Sequence, residues 1–324
     1  MKTIAIAAGG DSSENEISVK SAVAISNALS SKYIVYIIIV RGTNWYWEDS
    51  KGRYFNIDKN DFSLVTDEYR IKFDCVFIAI HGTPGENGLL QGYFDMLGIP
   101  YTSCGASCSA LTFNKQACKL FLKEYDIPMV DAVMIRKGDN FDPVSVINHV
   151  GLPCFVKPNN SGSSFGVSKV RKKEDLLSAI EKAYKESHEI LIEPFIEGRE
   201  VACGVVKTKS DSYLLPVTEI ISKNEFFDFE AKYTEGVSDE ITPADMPPEI
   251  TYEVQRLSSL IYDLLGCRGI VRTDFIIRDD KPYFLEINTV PGMTKESIFP
   301  KQIAAAGITS QDIYSMVIED LFNE

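Results

Sequence analysis

The segment GIVRTDFIIRDDKPYFLEIN, residues 269–288, consists of two apolar runs on either side of a short polar turn. Both runs are rich in β-branched and aromatic residues, which predicts two strands, at 269–277 and 282–288, paired as a hairpin. The opposite faces of the two strands also carry apolar residues, so a solvated polar face explains the charges poorly; these residues are Val271, Phe275, Ile277, Leu285 and Ile287. Carboxylates in such surroundings need partners, because an unpaired buried charge is very costly.

Side chains alternate along a strand, so the polar groups of the hairpin share faces. The two sets are Arg272, Asp274 and Ile276 on the first strand, and Phe284, Glu286 and Asn288 on the second. A three-residue turn at 279–281 sets Asp274 opposite Glu286, whereas a two-residue turn sets Asp274 opposite Leu285 and separates the polar groups. We therefore expect the longer turn.

Two carboxylates and an amide oxygen are the hard oxygen ligands that magnesium prefers. The hairpin therefore predicts a magnesium site formed by Asp274, Glu286 and Asn288. A salt-bridge network with Arg272 is the alternative, because a buried carboxylate can also be paired with a cation. In the polar loop that follows, residues 289–297, the backbone N–H of Gly292 can approach a ligand closely, although a plain turn also explains this loop.

A second candidate site is the segment KPNNSGSSFG, residues 157–166. A predicted strand ends at Lys157, and small residues then allow backbone N–H groups to approach an anion. The spacing fits neither a Walker P-loop nor a G-x-G-x-x-G motif, which argues against both of those nucleotide-binding folds. A phosphate-binding loop and an ordinary Ser/Gly turn both remain open.

Two weaker signals lie elsewhere in the chain. Ser13 and Glu16 match an S-x-x-E capping box at the start of a helix, which leaves Glu14 either to complement the helix dipole or to bind an ammonium group. The sequence Glu193-Pro-Phe-Ile196 links two predicted strands and resembles either a hinge that contacts a base or an ordinary connector.

Composition excludes several classes of protein. The chain has 324 residues, of which 45% are hydrophobic and 24% charged, which is typical of a soluble globular protein and not of a disordered, collagen-like or coiled-coil chain. With 33 basic and 46 acidic residues the net charge is −13, which argues against non-specific binding to nucleic acid or to an anionic membrane. The longest apolar run, residues 33–40, is too short to span a bilayer.

The seven cysteines include no C-x-x-C pair, and there are only three histidines. We therefore expect buried free thiols in a reducing cytosol and neither a disulfide framework nor a structural zinc site.

The predicted elements change character along the chain. Strands alternate with helices over residues 1–105, which predicts an open, mostly parallel α/β sheet with strands at 3–8, 33–40 and 75–80. A small α+β unit and a strand-rich last third follow. Residues 222–248 show no clean periodicity, and loops of this length are typical of lids, binding loops or disordered segments.

Taken together, these residues resemble the ATP-grasp superfamily and, within it, the D-alanine–D-alanine ligases. The resemblance covers nearly the whole chain, in order, and rests on four motifs: GGDSSENEIS at 9–18, HGTPGENG at 81–88, FDFEAKY at 227–233, and R-x-D at 272–274 followed by LEINTVPGMT at 285–294. Two departures are mild, since Asn159-Asn160 replaces a Ser-Arg-type pair of some members and Val290 replaces a frequent Ser.

The resemblance implies an α/β, three-domain ATP-grasp architecture. An N-terminal parallel α/β domain at residues 1–110 precedes two α+β lobes that clamp ATP, a central lobe at 111–196 and a C-terminal lobe at 197–324. Residues 222–248 are the implied lid.

The resemblance also implies an ATP site that contains two Mg²⁺ ions, with Mn²⁺ as an alternative. The implied metal ligands are Asp274, Glu286 and Asn288. The implied phosphate contacts are Lys115, Lys157, Ser163 and Ser164 with the backbone of 161–167. The implied adenosine contacts are Glu193, Pro194, Phe195, Ile196, Glu200, Phe226 and Leu285.

The implied reaction joins two D-alanine molecules through an acyl phosphate. Glu14 takes the first ammonium group and is linked through Ser163 to Tyr233, while Arg272 and the Gly292 N–H face the developing oxyanion. The remaining implied substrate contacts are His81, Lys232, Ser297 and Ile298. A homodimer in the cytoplasm is usual in the resembled family.

Two alternatives remain: a depsipeptide-forming or D-serine-using relative, and a non-catalytic nucleotide-binding regulator. The regulator is disfavoured because every charged element that catalysis needs is present. No histidine lies in 222–248, where depsipeptide-forming relatives typically carry one, so we expect D-alanine at both positions.

Overall fold

Three sheets follow one another along the computed structural model of the protein, which describes residues 1–160, 162, 165–222 and 238–323. The first sheet has the order β6-β5-β4-β3-β2-β1-β7. Its strands are β1 (Thr3–Gly9), β2 (Ile34–Arg41), β3 (Asn44–Glu48), β4 (Tyr54–Asp58), β5 (Ser63–Val65), β6 (Arg70–Ile71) and β7 (Cys75–Ile78).

The centre of this sheet is parallel, as the sequence predicted, because β1 pairs in parallel with both β2 and β7. Strands β3 to β6 add an antiparallel extension that the sequence analysis did not anticipate. Its aromatic side chains, among them Trp45, Trp47 and Phe55, are partly buried against the core. Helices α1 (Asn15–Leu29) and α2 (Leu89–Leu97) belong to this part of the chain.

Two consecutive helices, α3 (Ala106–Phe113) and α4 (Lys115–Lys123), lead to the second sheet. That sheet is antiparallel, with the order β10-β9-β11-β8. Its strands are β8 (Val133–Arg136), β9 (Cys154–Pro158), β10 (Ser168–Val170) and β11 (Glu189–Pro194). Helices α5 (Pro143–Val150) and α6 (Leu176–Ala183) bury their apolar sides against one face of it. Helices α3 and α5 were not predicted from the sequence pattern.

The third sheet contains β15-β14-β12-β16-β17 in that order, with β13 paired to β12. Its strands are β12 (Arg199–Lys207), β13 (Ser212–Leu214), β14 (Thr218–Ser222), β15 (Ser238–Ile241), β16 (Gly269–Arg278) and β17 (Lys281–Asn288). Helix α7 (Pro248–Leu264) packs on this sheet. The predicted domain limits at 110 and 196 remain predictions.

Two C-terminal helices, α8 (Ile298–Ala305) and α9 (Ser310–Asp320), join the third sheet to the first. Phe299 and Tyr314 lie in one hydrophobic cluster with Ile4 and Ile6 of β1. The ring of Tyr314 also meets Phe77 of β7 edge-on, with 5.6 Å between ring centroids. The end of the chain therefore belongs to the core of the first sheet. None of the described helices is long and apolar enough to cross a bilayer.

The β16–β17 hairpin has the predicted pairing of carboxylates but reaches it differently. Asp274 is opposite Glu286, yet Arg278 pairs with Lys281, so that the turn has two residues and not three. Both turn residues, Asp279 and Asp280, have positive φ (50° and 59°). The predicted three-residue turn is therefore wrong.

A β-bulge restores the register between the turn and the carboxylates. Phe275 is opposite Phe284 while Asp274 is opposite Glu286, which leaves Leu285 as the extra residue. Alternation had predicted that Phe284 shares a face with Glu286. Because of the bulge, it does not. It is buried beside Phe275, with the two rings edge to face and 6.2 Å between centroids.

Candidate active site

A cleft of about 450 Å³ lies between the second and third sheets. This volume suits a small-molecule ligand. The cleft is lined by charged side chains from both sheets and from α4, and by the linker that follows β11. Lining residues with predicted roles are Lys115, Lys157, Glu193, Pro194, Phe195, Ile196, Glu200, Arg272, Asp274, Leu285 and Glu286.

A buried ion triad lies at the β9–β11 side of the cleft. Lys157 Nζ lies 2.6 Å from Glu193 Oε2, and Lys119 Nζ pairs with Glu193 Oε1. Burial alone would raise the pKa of Glu193, but the two ammonium groups outweigh it and hold that pKa below its ordinary value. Glu193 is therefore an anion that fixes Lys157 in place. Lys119, which lies one helical turn after Lys115 on α4, was not predicted from the sequence pattern.

The side chain of Asn159 connects the segment 157–166 to the start of α4. Its Oδ1 accepts from the Gln116 N–H at 2.9 Å, and its carbonyl accepts from the Lys115 N–H at 3.2 Å. Its Nδ2 donates to Glu189 Oε2 at 2.8 Å. This fully buried residue therefore holds Lys115 at the cleft, where Lys115 Nζ lies 3.3 Å from Glu286 Oε2.

The polar face of the hairpin is organised around Asp274. Arg272 binds this carboxylate with two hydrogen bonds, from Nε to Oδ1 at 2.8 Å and from Nη2 to Oδ2 at 2.7 Å. Asn288 Nδ2 donates to Oδ2 at 3.0 Å. The salt bridge to Arg272, which the sequence suggested as an alternative to metal binding, is thus present.

The same geometry fits a hard divalent cation. Oδ1 of Asp274 accepts one hydrogen bond and retains a lone pair. Asn288 donates through its side-chain nitrogen, which leaves its side-chain oxygen as a potential metal ligand. Glu286 faces Asp274 across the hairpin. Asp274 and Glu286 thus line the cleft, Asn288 is bonded to Asp274, and the ion pair and a metal site are compatible.

The bulge explains how Leu285 and Glu286, although adjacent in sequence, both line the cleft. In a regular strand they would point to opposite faces. The extra residue turns an apolar contact and a carboxylate towards the same cavity.

Glu14 lies at the N-cap of α1, and its side chain does not cap the helix. The predicted Ser13–Glu16 capping box is not formed, and the Glu14 N–H donates instead to Ser12 Oγ at 3.2 Å. The carboxylate of Glu14 is buried. It lies so close to Gly162 that a Cβ on this glycine would overlap Glu14 Oε2. Glu14 therefore contacts the segment that carries Gly162 and does not cap the helix.

His81 connects α1 to the loop that follows β17. Its Nδ1 donates to the Val290 carbonyl at 2.9 Å, so in the neutral ring Nε2 accepts from Ser21 Oγ at 3.2 Å. Burial lowers the pKa of His81, against the opposing charge of Glu14, which keeps the ring neutral. His81 thus fixes the loop at Val290 and has no ring nitrogen left for the substrate in this arrangement.

Glu86 belongs to the 81–88 motif but received no role from the sequence. Its Oε2 accepts from the Gly82 N–H at 2.7 Å and its Oε1 from the Val290 N–H at 3.3 Å. Burial, followed by the charge of Glu14, raises the pKa of Glu86 to about 8. A carboxylic acid that is largely protonated near neutral pH therefore holds together two loops of the site.

The loop after β17 ends at Ser297, the N-cap of α8. The hydroxyl of Ser297 makes no cap hydrogen bond and lies 2.8 Å from Thr294 Oγ1. A Cβ on Gly292 would come within 2.7 Å of that hydroxyl, so only glycine allows this approach. Ile298, a predicted substrate contact, is buried with Ala202 and Ile220 in a small apolar cluster. Its described contacts are those of a core residue.

The linker and β12 complete the cleft. The Phe195 N–H donates to the Pro153 carbonyl at 3.1 Å, and Lys169 Nζ lies 3.6 Å above the Phe195 ring. Glu200 pairs with Ile220 and Ile276 in the sheet and reaches the cavity.

Five predicted site residues lie outside the part of the chain that the structure describes. They are Ser163, Ser164, Phe226, Lys232 and Tyr233. Most of the predicted lid also lies there, and only Ser222 and residues 238–248 are described.

Comparisons with known proteins agree with this geometry. The chain matches the family model of the D-ala D-ala ligase N-terminus over residues 3–104 and that of the C-terminus over 121–319. The D-alanine–D-alanine ligase of Phocaeicola vulgatus is 49% identical over 323 residues, covering 99% of each chain.

Solved structures agree as well. The D-alanyl-alanine synthetase A from Vibrio cholerae superposes with a TM-score of 0.89 at 29% identity, over 99% of each chain. The D-alanine–D-alanine ligase from Bacillus anthracis complexed with ATP gives a TM-score of 0.80 at 28% identity, over 99% of this chain and 98% of that one. From its matched models, its relatives and its cleft, the chain belongs to the D-alanine–D-alanine ligase family and has the ATP-grasp fold.

Proposed function

We propose that this chain is the ligase that joins two D-alanine molecules into D-alanyl-D-alanine for peptidoglycan precursors, with conversion of ATP to ADP and phosphate. The observation that carries the proposal is the cleft in which Lys115, Lys157, Asp274 and Glu286 converge. Two cations and two carboxylates around one cavity suit a triphosphate and its metal ions. The named relatives support the same substrates.

We propose that the nucleotide occupies the cleft with its base against the linker after β11. Phe195 and Leu285 supply apolar surface, and Glu200 lies where a ribose hydroxyl would be held. Lys115 and Lys157 face the phosphates, with the loop at 161–167. The triad of Lys157 with Glu193 and Lys119 supports this assignment, because it fixes an ammonium group before the nucleotide binds.

Asp274, Glu286 and Asn288 would hold two magnesium ions, with manganese as an alternative. Ions bound there would supply positive charge that offsets the negative charge of the transferred phosphate. The chain's own contribution is to orient these three oxygen donors, and the ion pair of Arg272 with Asp274 and the bulge at Leu285 do so.

The first chemical step forms D-alanyl phosphate. A carboxylate oxygen of the first D-alanine attacks the γ-phosphorus, and the bond from that phosphorus to the β–γ bridging oxygen breaks, so that ADP leaves. Glu14 binds the ammonium group of this substrate, because its buried carboxylate lies beside Gly162 of the loop. The proposed link from Glu14 through Ser163 to Tyr233 involves two residues outside the described part of the chain.

The second step forms the peptide bond. The amine of the second D-alanine, having lost a proton, attacks the acyl carbon, and the bond to the phosphate oxygen breaks. Arg272 and the Gly292 N–H stabilise the oxyanion, while Ser297 and Lys232 bind the second carboxylate. The closeness of Ser297 Oγ to Gly292 supports a shared site for these groups. An acyl phosphate hydrolyses in water, so the segment 222–248 is proposed to close over it.

We further propose a cytoplasmic homodimer, as the resemblance implies.

We also propose that D-alanine is used at both positions. The support for this choice is the absence of histidine from residues 222–248 of the sequence. In competition between D-alanine and D-lactate from pH 6 to 9, dipeptide should dominate. A depsipeptide product that prevails at the acidic end would contradict it.

The proposed function is tested by mass spectrometry of products from ATP, magnesium and a panel of D-amino and D-hydroxy acids. We expect D-alanyl-D-alanine from the wild type and roughly a 10³-fold loss of turnover in Glu286→Gln, because a metal-binding charge is removed. Asp279→Asn, at the exposed tip of the same hairpin, is the matched control and should keep full activity. ATP turnover that is independent of D-alanine would overturn the proposal.

A further inference from the structure

Two cysteines that are four residues apart and a third that is distant in sequence converge away from the cleft. Their sulfur atoms all lie within 4.8 Å of one another: Cys104, Cys108 and Cys267. Among the described residues this is the one group of three or more histidine, cysteine or acidic side chains with metal-ligand proximity. The sequence pattern gave no indication of it, because the spacing 104, 108 and 267 matches no familiar motif.

The three thiols come from separate elements. Cys104 precedes α3, Cys108 lies in the first turn of that helix, and Cys267 lies between α7 and β16. The cluster thus joins the segment that follows the first sheet to the third sheet. Packing between these segments is tight, since a Cβ on Gly269 would lie 2.9 Å from the Thr102 carbonyl oxygen.

The sulfur positions suit a tetrahedral metal ion. With metal–sulfur bonds of about 2.3 Å, two thiolates of a tetrahedral zinc site lie about 3.8 Å apart. The distance between Cys108 Sγ and Cys267 Sγ is 3.7 Å. Only small side-chain adjustments would therefore bring the third sulfur, within 4.8 Å of both, into the same coordination sphere.

The surroundings favour thiolate ligands. The backbone N–H of Arg268 donates to Cys104 Sγ at 3.4 Å, an outer-shell interaction that orients a metal-bound sulfur. The guanidinium of the same residue is fixed by the Ser103 and Tyr101 carbonyls. Cys104 and Cys108 are buried, whereas Cys267 is partly exposed and offers an entry path and a place for a solvent ligand.

We propose that Cys104, Cys108 and Cys267 form a three-thiolate site for a soft divalent metal ion of the zinc–cadmium type. On binding, each thiol gives up its proton and each sulfur donates an electron pair to the ion, with no change in oxidation state. The site is separate from the proposed magnesium site and serves to clamp α3 to the start of β16. Cys267 lies two residues before β16, the strand that carries Arg272 and Asp274.

The test uses Cd²⁺ as the metal, added to the reduced full-length protein in excess magnesium. We expect ultraviolet sulfur-to-cadmium charge-transfer absorption that saturates at one equivalent, and a rise in the unfolding temperature. Cys104→Ser, Cys108→Ser and Cys267→Ser should each weaken Cd²⁺ binding at least ~10-fold. Cys118→Ser is the matched control, because Cys118 is buried in the same hydrophobic cluster but lies outside the trio.

Circular dichroism checks the fold of each variant. If the variants at the buried positions unfold, Cys267→Ser still tests the proposal, because Cys267 is partly exposed. Absorption and stoichiometry unchanged in Cys267→Ser would overturn the proposal. The proposal also fails if reduced wild type binds no Cd²⁺.

Discussion

At the scale of single residues, the site depends on buried carboxyl groups that hold loops in contact. Glu14 lies against Gly162, and Glu86 bridges Gly82 and Val290. Both carboxyl groups are buried, and the charge of Glu14 helps to raise the pKa of Glu86. Small changes at these contacts should therefore alter catalysis or pH dependence more than overall folding.

Gly162→Ala tests the contact with Glu14. A methyl group at this position overlaps Glu14 Oε2, so the loop or the carboxylate must move. Because misplacement by about 1 Å can cost roughly 10²-fold in rate, we expect a loss of that size in kcat/KM for D-alanine. Gly92→Ala on α2 is the control, since its added Cβ meets nothing within 4 Å. Equal activity of the two variants would show that the contact does not position a catalytic group.

Glu86→Gln tests the pKa of about 8. The folded pKa is raised above the unfolded value near 4.5, so the stabilising effect of protonated Glu86 is complete below pH 4.5 and is lost as pH rises towards 8. Glutamine does not titrate. The unfolding temperature of wild type minus that of Glu86→Gln should therefore fall steadily between pH 5 and pH 8. A difference that is constant or grows with pH would refute the raised pKa.

At the scale of elements, the β16–β17 hairpin shows why a correct register can follow from an incorrect turn. The sequence predicted the opposition of Asp274 and Glu286 through a three-residue turn. The structure combines a two-residue turn with a bulge at Leu285, and the two differences cancel. A bulge depends on packing, here of Phe284 against Phe275, which a strand pattern alone does not reveal.

The turn itself makes a stability prediction. Asp279 and Asp280 both have positive φ, which a type I′ turn requires and which Asn-Gly adopts more easily. Asp279→Asn combined with Asp280→Gly should raise the free energy of unfolding by about 0.5–1 kcal/mol, with unchanged activity. Asp280→Ala retains the strain and should give no gain. Denaturant titration of the three proteins measures both effects, and destabilisation by Asn-Gly would argue against the two-residue turn.

At the scale of the whole molecule, the sequence predicted the parallel centre of the first sheet, and it singled out many of the residues that line the cleft. These features can be predicted because they depend on the spacing of apolar and charged residues along the chain. It did not predict strands β3 to β6 or helices α3 and α5, whose short, weakly periodic segments are stabilised by packing. Lys119, Glu86 and the cysteine cluster were also missed, because their partners lie 74, 204 and 159 residues away in the sequence.

The central claim is that the cleft transfers the γ-phosphoryl group of ATP to the carboxylate of D-alanine. Its most direct test uses D-alanine with ¹⁸O in both carboxylate oxygens and unlabelled ATP, followed by mass spectrometry of the released phosphate. Attack by the carboxylate predicts one ¹⁸O atom in each phosphate and the loss of one from the dipeptide. Unlabelled phosphate, formed together with dipeptide, would contradict the account.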